Sequence, residues 1–259
     1  MEITAEKSNR SGMEHLKTKK INNHDLPLGG KMELKKITAL VPMRHHSQRV
    51  PGKNYRPLAG KPLFFHILTT LSRCPEINKI VVDTDSPVII EKTKADFSDI
   101  VIIDRPEHLR ADSISMNEIL MYDTAQEPSD LFLQTHSTNP LLSAETISRA
   151  IQTLRNNYPS YDSLFSVTRV QSRLWDQLAR PINHNPSILI QTQDLPPLFE
   201  ENSCLYLFTR QNLETYHSRI GVRPYLFEIS KSEAWDIDEE EDFILTEMLM
   251  KMRLKNSLV

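Results

Sequence analysis

The chain has 259 residues, of which 39% are hydrophobic and 25% are charged, and its formal net charge at pH 7 is −3. This composition is ordinary for a globular protein, and the length suits one large domain or two small ones. Non-specific nucleic-acid binding is not expected, because it needs a concentrated basic surface. No run of about 18 apolar residues predicts a transmembrane helix, and the N-terminus lacks the apolar core of a secretory signal.

The two cysteines, Cys74 and Cys204, are far apart and lack metal-ligand spacing. Cysteines without such spacing are usually buried free thiols, so we expect Cys74 and Cys204 to be reduced and mostly buried. Reduced thiols are typical of a reducing compartment, which favours the cytoplasm.

The first 34 residues differ from the rest of the chain. They are polar, lack periodicity and contain Gly29–Gly30. Such a segment buries too little apolar surface to offset its ordering entropy. The sequence therefore predicts a disordered leader over 1–34 and one domain over 35–259, with the folded unit starting near Met32.

Strand-like and helix-like segments then alternate along the chain. The predicted strands cover residues 37–42, 79–86, 99–104, 130–135, 163–170, 203–210 and 225–230. The predicted helices cover residues 62–74, 88–97, 115–125, 143–157 and 238–255. Ser86 followed by Pro87 is typical of a helix start, and Ser115 with Glu118 fits a capping box. Five residues predict the apolar face of the last helix: Phe243, Leu245, Met248, Leu249 and Met252.

This alternation predicts an α/β fold with a mostly parallel sheet and helices on both faces. In such sheets, ligands bind beyond the carboxyl ends of the strands. Polar clusters follow the strands that begin at residues 37, 79 and 130. We therefore expect the functional site at that edge of the sheet.

The loop after the first strand is rich in cations. Its basic residues are Arg44, Arg49, Lys53, Arg56 and Lys61. Cations and free backbone N–H groups at a strand-to-helix junction can bind an anion such as a triphosphate. A solvated basic loop explains these residues equally well.

Two acidic segments are candidate metal sites. Asp236 and Asp238 are two residues apart, so on an extended segment they face the same side, where they can hold a hard cation. The acidic start of a helix is the alternative, and it explains Asp236 less well because that residue precedes the helix. Asp85 ends a strand and is a second candidate, although it can instead cap the following helix.

Several motifs, in the right order, resemble those of the acylneuraminate and related ulosonic-acid cytidylyltransferases. The family has a strand, Pro-Ala-Arg-Gly-Gly-Ser-Lys, Pro-x-Lys-Asn and Leu-x-Gly-Lys-Pro-Leu, and this chain has PMRHHSQR, PGKN and LAGKPL between residues 42 and 63. The departure is His45–His46 in place of Gly-Gly. Residues 105–112 resemble Arg-Pro-x-x-Leu-Ala-x-Asp, residues 133–141 resemble Leu-Gln-Pro-Thr-Ser-Pro-Leu, and residues 236–242 resemble Asp-Ile-Asp-x-x-Glu-Asp.

The resemblance implies roles for specific residues. It implies nucleotide binding by Arg44, Ser47, Lys53, Asn54 and Asp112, with Arg44, Lys53 and Asp236 as catalytic residues. It implies Mg²⁺ binding by Asp236, Asp238 and Asp85. It also implies sugar binding by Gln134, Gln193 and Asn202. Where the family commonly has basic residues suited to a sugar carboxylate, this chain has Gln191 and Thr192.

The function implied is transfer of CMP from CTP to the anomeric hydroxyl of a sialic acid-like nonulosonic acid, with release of pyrophosphate, for surface glycan biosynthesis. The fold implied is that of the nucleotide-diphospho-sugar transferases, with a small insertion at about 170–200 that forms a homodimer. The alternatives are a cytidylyltransferase for Kdo (3-deoxy-manno-octulosonate), amino-Kdo or a legionaminate- or pseudaminate-like sugar, and a homologue that binds nucleotide without turnover. CTP and an acidic sugar are the expected partners, with no nucleic acid and no membrane.

Overall fold

The computed structural model describes residues 34–256 of the protein. Its strands are β1 (Ile37–Met43), β2 (Pro57–Leu58), β3 (Lys61–Pro62), β4 (Lys79–Thr84), β5 (Ile100–Asp104), β6 (Leu131–Thr135), β7 (Ser163–Val170), β8 (Leu198–Phe208) and β9 (Pro224–Glu228). Its helices are α1 (Leu63–Ser72), α2 (Pro87–Asp96), α3 (Met116–Gln126), α4 (Ala144–Asn157), α5 (Arg210–Tyr216) and α6 (Glu240–Asn256). The predicted leader over 1–34 lies outside the described residues, apart from Leu34, which is buried.

Seven strands form one sheet in the order β5-β4-β1-β6-β8-β7-β9. Neighbouring strands are parallel except at β8, which is antiparallel to both β6 and β7. The predicted mostly parallel sheet is therefore confirmed. The chain builds outward from β1 to β5 and then returns to β6 beside β1. Such a switch point is where ligands bind in open α/β sheets, at the carboxyl ends of the strands.

Helices cover both faces of the sheet because side chains of a strand alternate between its two sides. Ala39 and Val41 of β1 belong to a core cluster shared with apolar residues of α1 and α4. Leu40, between them, belongs to a second cluster shared with Leu120 of α3 and Leu213 of α5. These two clusters anchor β1 on both sides and so fix the position of the loop that follows it.

The predicted capping box at the start of α3 is confirmed. The Glu118 N–H donates to the Ser115 Oγ at 3.3 Å, and the Ser115 N–H donates to the Glu118 carboxylate at 2.8 Å. Ser115→Ala should therefore lower the free energy of unfolding by about 1 kcal/mol, measured by urea denaturation. Ser113→Ala, two residues before the cap, is the control. An equal effect of both substitutions would contradict this role for Ser115.

The predicted apolar face of the last helix is wrong at four of its five residues and confirmed only at Phe243. Leu245, Met248, Leu249 and Met252 are exposed, whereas Phe243, Thr246 and Met250 of α6 are buried. Phe243 and Met250 pack on a small third cluster that includes Leu58 of β2 and Leu63 of α1. Apolar residues occur almost all around this helix, so their periodicity does not select the face that the small cluster covers.

Three elements, β2, β3 and α5, were not predicted, and one strand is longer than expected. The ribbon of β2 and β3 and the helix α5 are too short to give a periodic pattern. Strand β8 begins five residues before the predicted start at 203. The register of β7 and β8 shifts near Ser203, which has a φ of 58°, and this irregularity interrupts the strand pattern.

The predicted insertion corresponds to the long connection between β7 and β8. Its described elements are a short 3₁₀ turn, Thr192–Asp194, and a β-bridge between Trp175 and Pro181.

Cys74 and Cys204 are buried free thiols, as predicted, and burial raises the pKa of Cys74 to about 11. Among the described helices, none has the length and apolar character needed to cross a membrane.

Candidate active site

A cleft of about 710 Å³ opens beyond the carboxyl ends of β1 and β6. Six parts of the chain line it: the end of β1 with the loop after it, residues 105–119, the turn after β6, Ser203 of β8, Arg219, and the residues that precede α6. Its charged and imidazole lining residues are Arg44, His46, Arg49, Lys53, Arg105, Asp112, His136, Arg219, Asp236 and Asp238. The cleft thus lies at the switch point of the sheet and brings together segments from both ends of the described chain.

The first cations of the loop after β1 face carboxylates across the cleft. Arg44 forms a salt bridge with Asp112, and the amide of Gln48 donates to the other Asp112 oxygen at 2.6 Å. Arg49 pairs with Asp238 at 2.6 Å and with Glu239 at 3.1 Å. These pairs are half-exposed, so each stabilises the fold little and can exchange its carboxylate for a phosphate.

Lys53 is the most enclosed cation of this loop. Its ammonium donates to the carbonyl oxygen of Ile237 and lies 3.7 Å from Asp238. Burial lowers the pKa of Lys53, and the charges of Asp238 and Asp236 oppose that shift. The ammonium therefore connects the loop after β1 with the acidic segment before α6.

Asn54 and Ser47 shape this loop. The buried Asn54 amide donates to the carbonyl of Arg44 at 2.7 Å, and the Asn54 carbonyl oxygen accepts from the Ser137 hydroxyl at 2.7 Å. The Ser47 hydroxyl accepts from the backbone N–H of Val50 at 3.4 Å. Both residues line the cleft, so the predicted nucleotide-binding residues Arg44, Ser47, Lys53, Asn54 and Asp112 are brought together.

The adjacent histidines have different surroundings. The His45 ring lies 2.7 Å from the Ser86 hydroxyl through Nδ1 and stacks on Tyr55, with ring centroids 5.3 Å apart. The His45 backbone N–H donates to the Asp85 carboxylate at 2.7 Å. His46 lines the cleft instead. Asp85, predicted as a metal ligand, is therefore placed outside the cleft lining, where it holds the loop.

Asp236 and Asp238 lie together at the cleft, as their spacing predicted. Oδ1 of Asp236 is buried without a hydrogen-bond partner among the described residues. Burial raises the pKa of Asp236, and a hydrogen bond from Thr138 counteracts this. Asp238 is half-exposed and engaged by Arg49 and Lys53. Within the described residues, no group of three or more His, Cys, Asp and Glu side chains is arranged to hold a metal.

This donor set suits a hard cation that takes one or two carboxylates from the protein. Mg²⁺ is such a cation, and it completes its shell with water and substrate phosphates. An orphaned buried carboxylate oxygen beside a second carboxylate meets that requirement. Asp236 and Asp238 therefore fit Mg²⁺ when a phosphate-bearing substrate supplies the remaining ligands.

The predicted sugar-binding residues are not gathered in one place. Gln134 is fully buried behind the cleft surface. Its amide oxygen accepts from Arg219, and its amide nitrogen lies within hydrogen-bond distance of His136. Asn202 accepts from the Ser166 hydroxyl and donates to Thr168 Oγ1 at 2.9 Å, so its amide is directed at β7. Gln193 is exposed on the connection between β7 and β8 and bonds Gln191 at 2.8 Å.

Arg219 and His136 line the cleft, although the sequence did not single them out. Arg219 lies between α5 and β9 in a segment without a motif. His136 falls inside a recognised motif, but at a position where the family has another residue. His136 could have been found from the sequence because it directly follows β6, where the site was expected. No sequence signal pointed to Arg219.

A buried ionic network lies under the cleft floor. The Arg105 Nε donates to Asp83 at 3.0 Å, and both side chains are 1% exposed. Asp123 on α3 is also fully buried, and burial followed by the Asp83 charge raises the pKa of Asp123 to about 9. Asp83 is therefore the carboxylate that balances Arg105 at neutral pH, while Asp123 keeps its proton.

Comparison with known proteins gives the chain a family. Residues 38–257 match the family model described as Cytidylyltransferase. The chain is 28% identical over 233 residues to a CMP-N,N'-diacetyllegionaminic acid synthase of Legionella pneumophila, covering 84% of this chain and 97% of that protein. It is 26% identical over 218 residues to N-acylneuraminate cytidylyltransferase A of Danio rerio, covering 82% of this chain and 50% of that one. The chain thus spans about half the length of several curated relatives.

Solved structures share the fold. A CMP:2-keto-3-deoxy-manno-octonic acid synthetase complexed with CTP aligns with a TM-score of 0.64 at 16% identity, covering 84% of this chain and 99% of that one. A 4-diphosphocytidyl-2C-methyl-D-erythritol synthase from Anaerococcus prevotii aligns with a TM-score of 0.61 at 15% identity, covering 85% and 98%. The predicted nucleotide-diphospho-sugar transferase type of fold is confirmed. With a family model that matches most of its length, this chain belongs to the cytidylyltransferase family.

Proposed function

We propose that this protein transfers CMP from CTP to the anomeric hydroxyl of an acidic sugar and releases pyrophosphate. The observation that carries the proposal is the grouping of Arg44, Lys53 and Asp236 in one cleft at the switch point of the sheet. The names of the relatives support the donor and the class of acceptor.

In the proposed reaction, the anomeric oxygen attacks the α-phosphorus of CTP. A new P–O bond forms, the bond to the β-phosphate breaks, and pyrophosphate leaves with its electron pair while the hydroxyl proton passes to solvent. Arg44, Arg49 and Lys53 exchange their carboxylate partners for the phosphates and neutralise charge on the leaving group. The protein contributes mainly by positioning the two substrates.

Mg²⁺ is proposed as the cofactor, held by Asp236 and Asp238, with Asp85 as a less favoured ligand because its carboxylate accepts from the loop backbone. A bound Mg²⁺ supplies charge neutralisation and a template for the phosphates. The orphaned Oδ1 of Asp236 supports its position as the first ligand.

The proposed acceptor is a nonulosonic acid of the sialic or legionaminic kind, because the names of two relatives contain such sugars. Kdo is the second candidate, and the fold shared with a synthetase for that sugar supports it. Of the two histidines in place of glycine, His45 turns its ring toward Ser86 and Tyr55, whereas His46 lines the cleft. A homologue that binds nucleotide without turnover is therefore the alternative that the pyrophosphate assay separates from the proposed function.

The experiment that tests the function is pyrophosphate release with CTP and Mg²⁺ across N-acetylneuraminate, N,N'-diacetyllegionaminate and Kdo. We expect turnover with at least one nonulosonic acid and none with ATP, GTP or UTP as donor. Calorimetric CTP binding without pyrophosphate release from any acid would instead establish a non-catalytic binder. No binding of CTP would overturn the proposal.

We also propose that the protein is a cytoplasmic homodimer, joined through the connection between β7 and β8. That connection exposes a group of apolar side chains, which favours an interface. They are Trp175, Leu178, Ile182, Ile188 and Leu189. A partner that covers this connection would also bring Gln193 toward a second cleft, which would explain its distance from the first.

Leu189→Asp should convert the dimer to a monomer in sedimentation velocity, because the Leu189 side chain is 87% exposed in a single chain and a buried charge opposes association. Ile244→Asp is the matched control, since Ile244 is an exposed apolar residue on α6. A dimer that survives Leu189→Asp but dissociates with Ile244→Asp would assign the interface to α6 instead.

A further inference from the structure

Arg219 is the exception among the cations that line the cleft. Arg44, Arg49, Lys53 and Arg105 each lie within 4.0 Å of a carboxylate. In the described part of the chain, no carboxylate lies that close to the Arg219 guanidinium. Burial lowers the pKa of Arg219, and the charge of Glu201, whose carboxylate accepts from the Tyr206 hydroxyl, opposes that shift from beyond salt-bridge distance. The guanidinium therefore lacks a direct anionic partner among the described residues.

The guanidinium of Arg219 is nevertheless fixed in place. Its Nη1 donates to the Gln134 Oε1 at 2.5 Å, and its Cζ lies 3.5 Å from the centroid of the Tyr206 ring. Its backbone N–H donates to the Asn117 side chain at 3.2 Å. Across residues 34–256, its Nε and Nη2 contact no carbonyl or carboxylate oxygen within hydrogen-bond distance, and the Tyr206 hydroxyl is the other side-chain partner of the guanidinium. Those two nitrogens form one edge of the planar fork that matches a carboxylate.

The Gln134 amide orients a second donor beside Arg219. Arginine can only donate, so the Gln134 atom that it contacts is the carbonyl oxygen, and the amide nitrogen faces the Thr135 carbonyl and His136. The distance from Gln134 Nε2 to His136 Nε2 is 2.9 Å, so the imidazole accepts there. Burial lowers the pKa of His136 to about 4, with smaller contributions from Arg219 and Lys53. A neutral His136 then carries its proton on Nδ1.

The arrangement also relates Arg219 to the loop after β1. His136 experiences the charges of both Arg219 and Lys53, so both cations lie near its ring. Arg44, Arg49 and Lys53 already supply cations at the loop after β1, whereas Arg219 comes from the segment between α5 and β9. A second anionic group, separate from the triphosphate, is what this position would receive.

We infer that Arg219 binds the carboxylate of the acceptor sugar through its Nε and Nη2 edge, with the neutral His136 as an adjacent hydrogen-bond donor and Gln134 as the residue that positions both. This inference rests on the proposed function and adds the group that selects acidic acceptors. It also accounts for Gln191 and Thr192 on the exposed connection, because the cation for the carboxylate comes from within the cleft of the same chain.

Arg219→Gln tests the inference by steady-state pyrophosphate release with the acid that the wild type uses best. We expect the acceptor KM to rise by about 100-fold, the loss typical of a charge-assisted bidentate pair, while the calorimetric Kd for CTP changes less than twofold. Arg219→Lys should recover part of the loss, because it restores the charge but not the fork. Arg149→Gln is the matched control, since Arg149 also lies over an aromatic ring but belongs to α4.

The acceptor carboxamide gives a second readout. The wild type should favour the acid over its carboxamide by about 100-fold, and Arg219→Gln should reduce this preference to within a fewfold. An unchanged acceptor KM, or a weakened CTP Kd with an unchanged acid preference, would overturn the role of Arg219 while leaving the proposed function intact. If the wild type releases no pyrophosphate from any acid, the proposed function fails. Calorimetric titration of wild type and variant with N-acetylneuraminate then still decides whether Arg219 binds the carboxylate.

Discussion

Asp236→Asn should lower kcat by about 100- to 1,000-fold with little change in the Kd for CTP. The substitution keeps the shape of the side chain but removes the charge from the buried, unpartnered Oδ1, and with it the strongest candidate ligand for Mg²⁺. Losses of this size follow when one preorganised electrostatic contact to a transition state is removed. Pyrophosphate release at saturating CTP and a titration of Mg²⁺ dependence measure the effect.

Stability separates this loss from misfolding. Because burial raises the pKa of Asp236, its charge costs folding free energy, and Asn should leave the thermal midpoint unchanged or raise it. Glu241→Gln, in the exposed first turn of α6, should retain wild-type kcat and serves as the control. Near-normal turnover in Asp236→Asn would remove Asp236 from the proposed metal site.

Arg105→Met should lower the free energy of unfolding by about 3 kcal/mol. The substitution leaves the Asp83 carboxylate buried without its cation, and breaking a buried pair from one side is among the most destabilising single changes. Chemical denaturation at pH 7 measures this loss. Arg180→Met, which removes an exposed partner of Asp176, should leave the stability nearly unchanged.

Asp123→Asn should change the free energy of unfolding in the opposite direction to Arg105→Met. The two substitutions together test the assigned protonation of the buried network. The native state keeps the Asp123 proton up to about pH 9, whereas an unfolded chain loses it near pH 4. The contribution of this group to stability is therefore complete below pH 4 and declines as the pH rises toward 9. Asp123→Asn should remove that decline and stabilise the protein at pH 8. A greater loss with Asp123→Asn than with Arg105→Met would refute the assigned protonation.

The sheet could be predicted from the sequence because its signal is local. Residues 79–84 and 131–135 are short apolar runs bounded by polar residues, and each became a buried parallel strand. The caps at Ser86 and Ser115 follow from hydrogen bonds within four residues. Tertiary contacts determine strands of two residues, such as β2. They also determine which side of α6 is buried, so periodicity predicts neither feature.

The site was predicted where it coincides with motifs and missed where it does not. Lys53 and Asp236 lie in ordered motifs at opposite ends of the chain, and the fold brings them to one cleft. Arg219 is a single arginine between α5 and β9. Only its contacts in the folded structure, such as the one with the buried Gln134, identify it as a cleft residue. Gln134 lies in a recognised motif, but its contacts with Arg219 and His136 depend on residues that are distant in sequence.

The hydrogen bond from Lys53 to the Ile237 carbonyl has a consequence for the order of events during synthesis. Every described strand ends by residue 228, so the sheet can assemble before the acidic segment has left the ribosome. Lys53 and Arg49 have their carboxylate partners only once residues 236–239 have folded back onto the loop after β1. A nascent chain can therefore form its sheet before the cations of the cleft acquire their carboxylate partners, so the lining of the cleft is completed last.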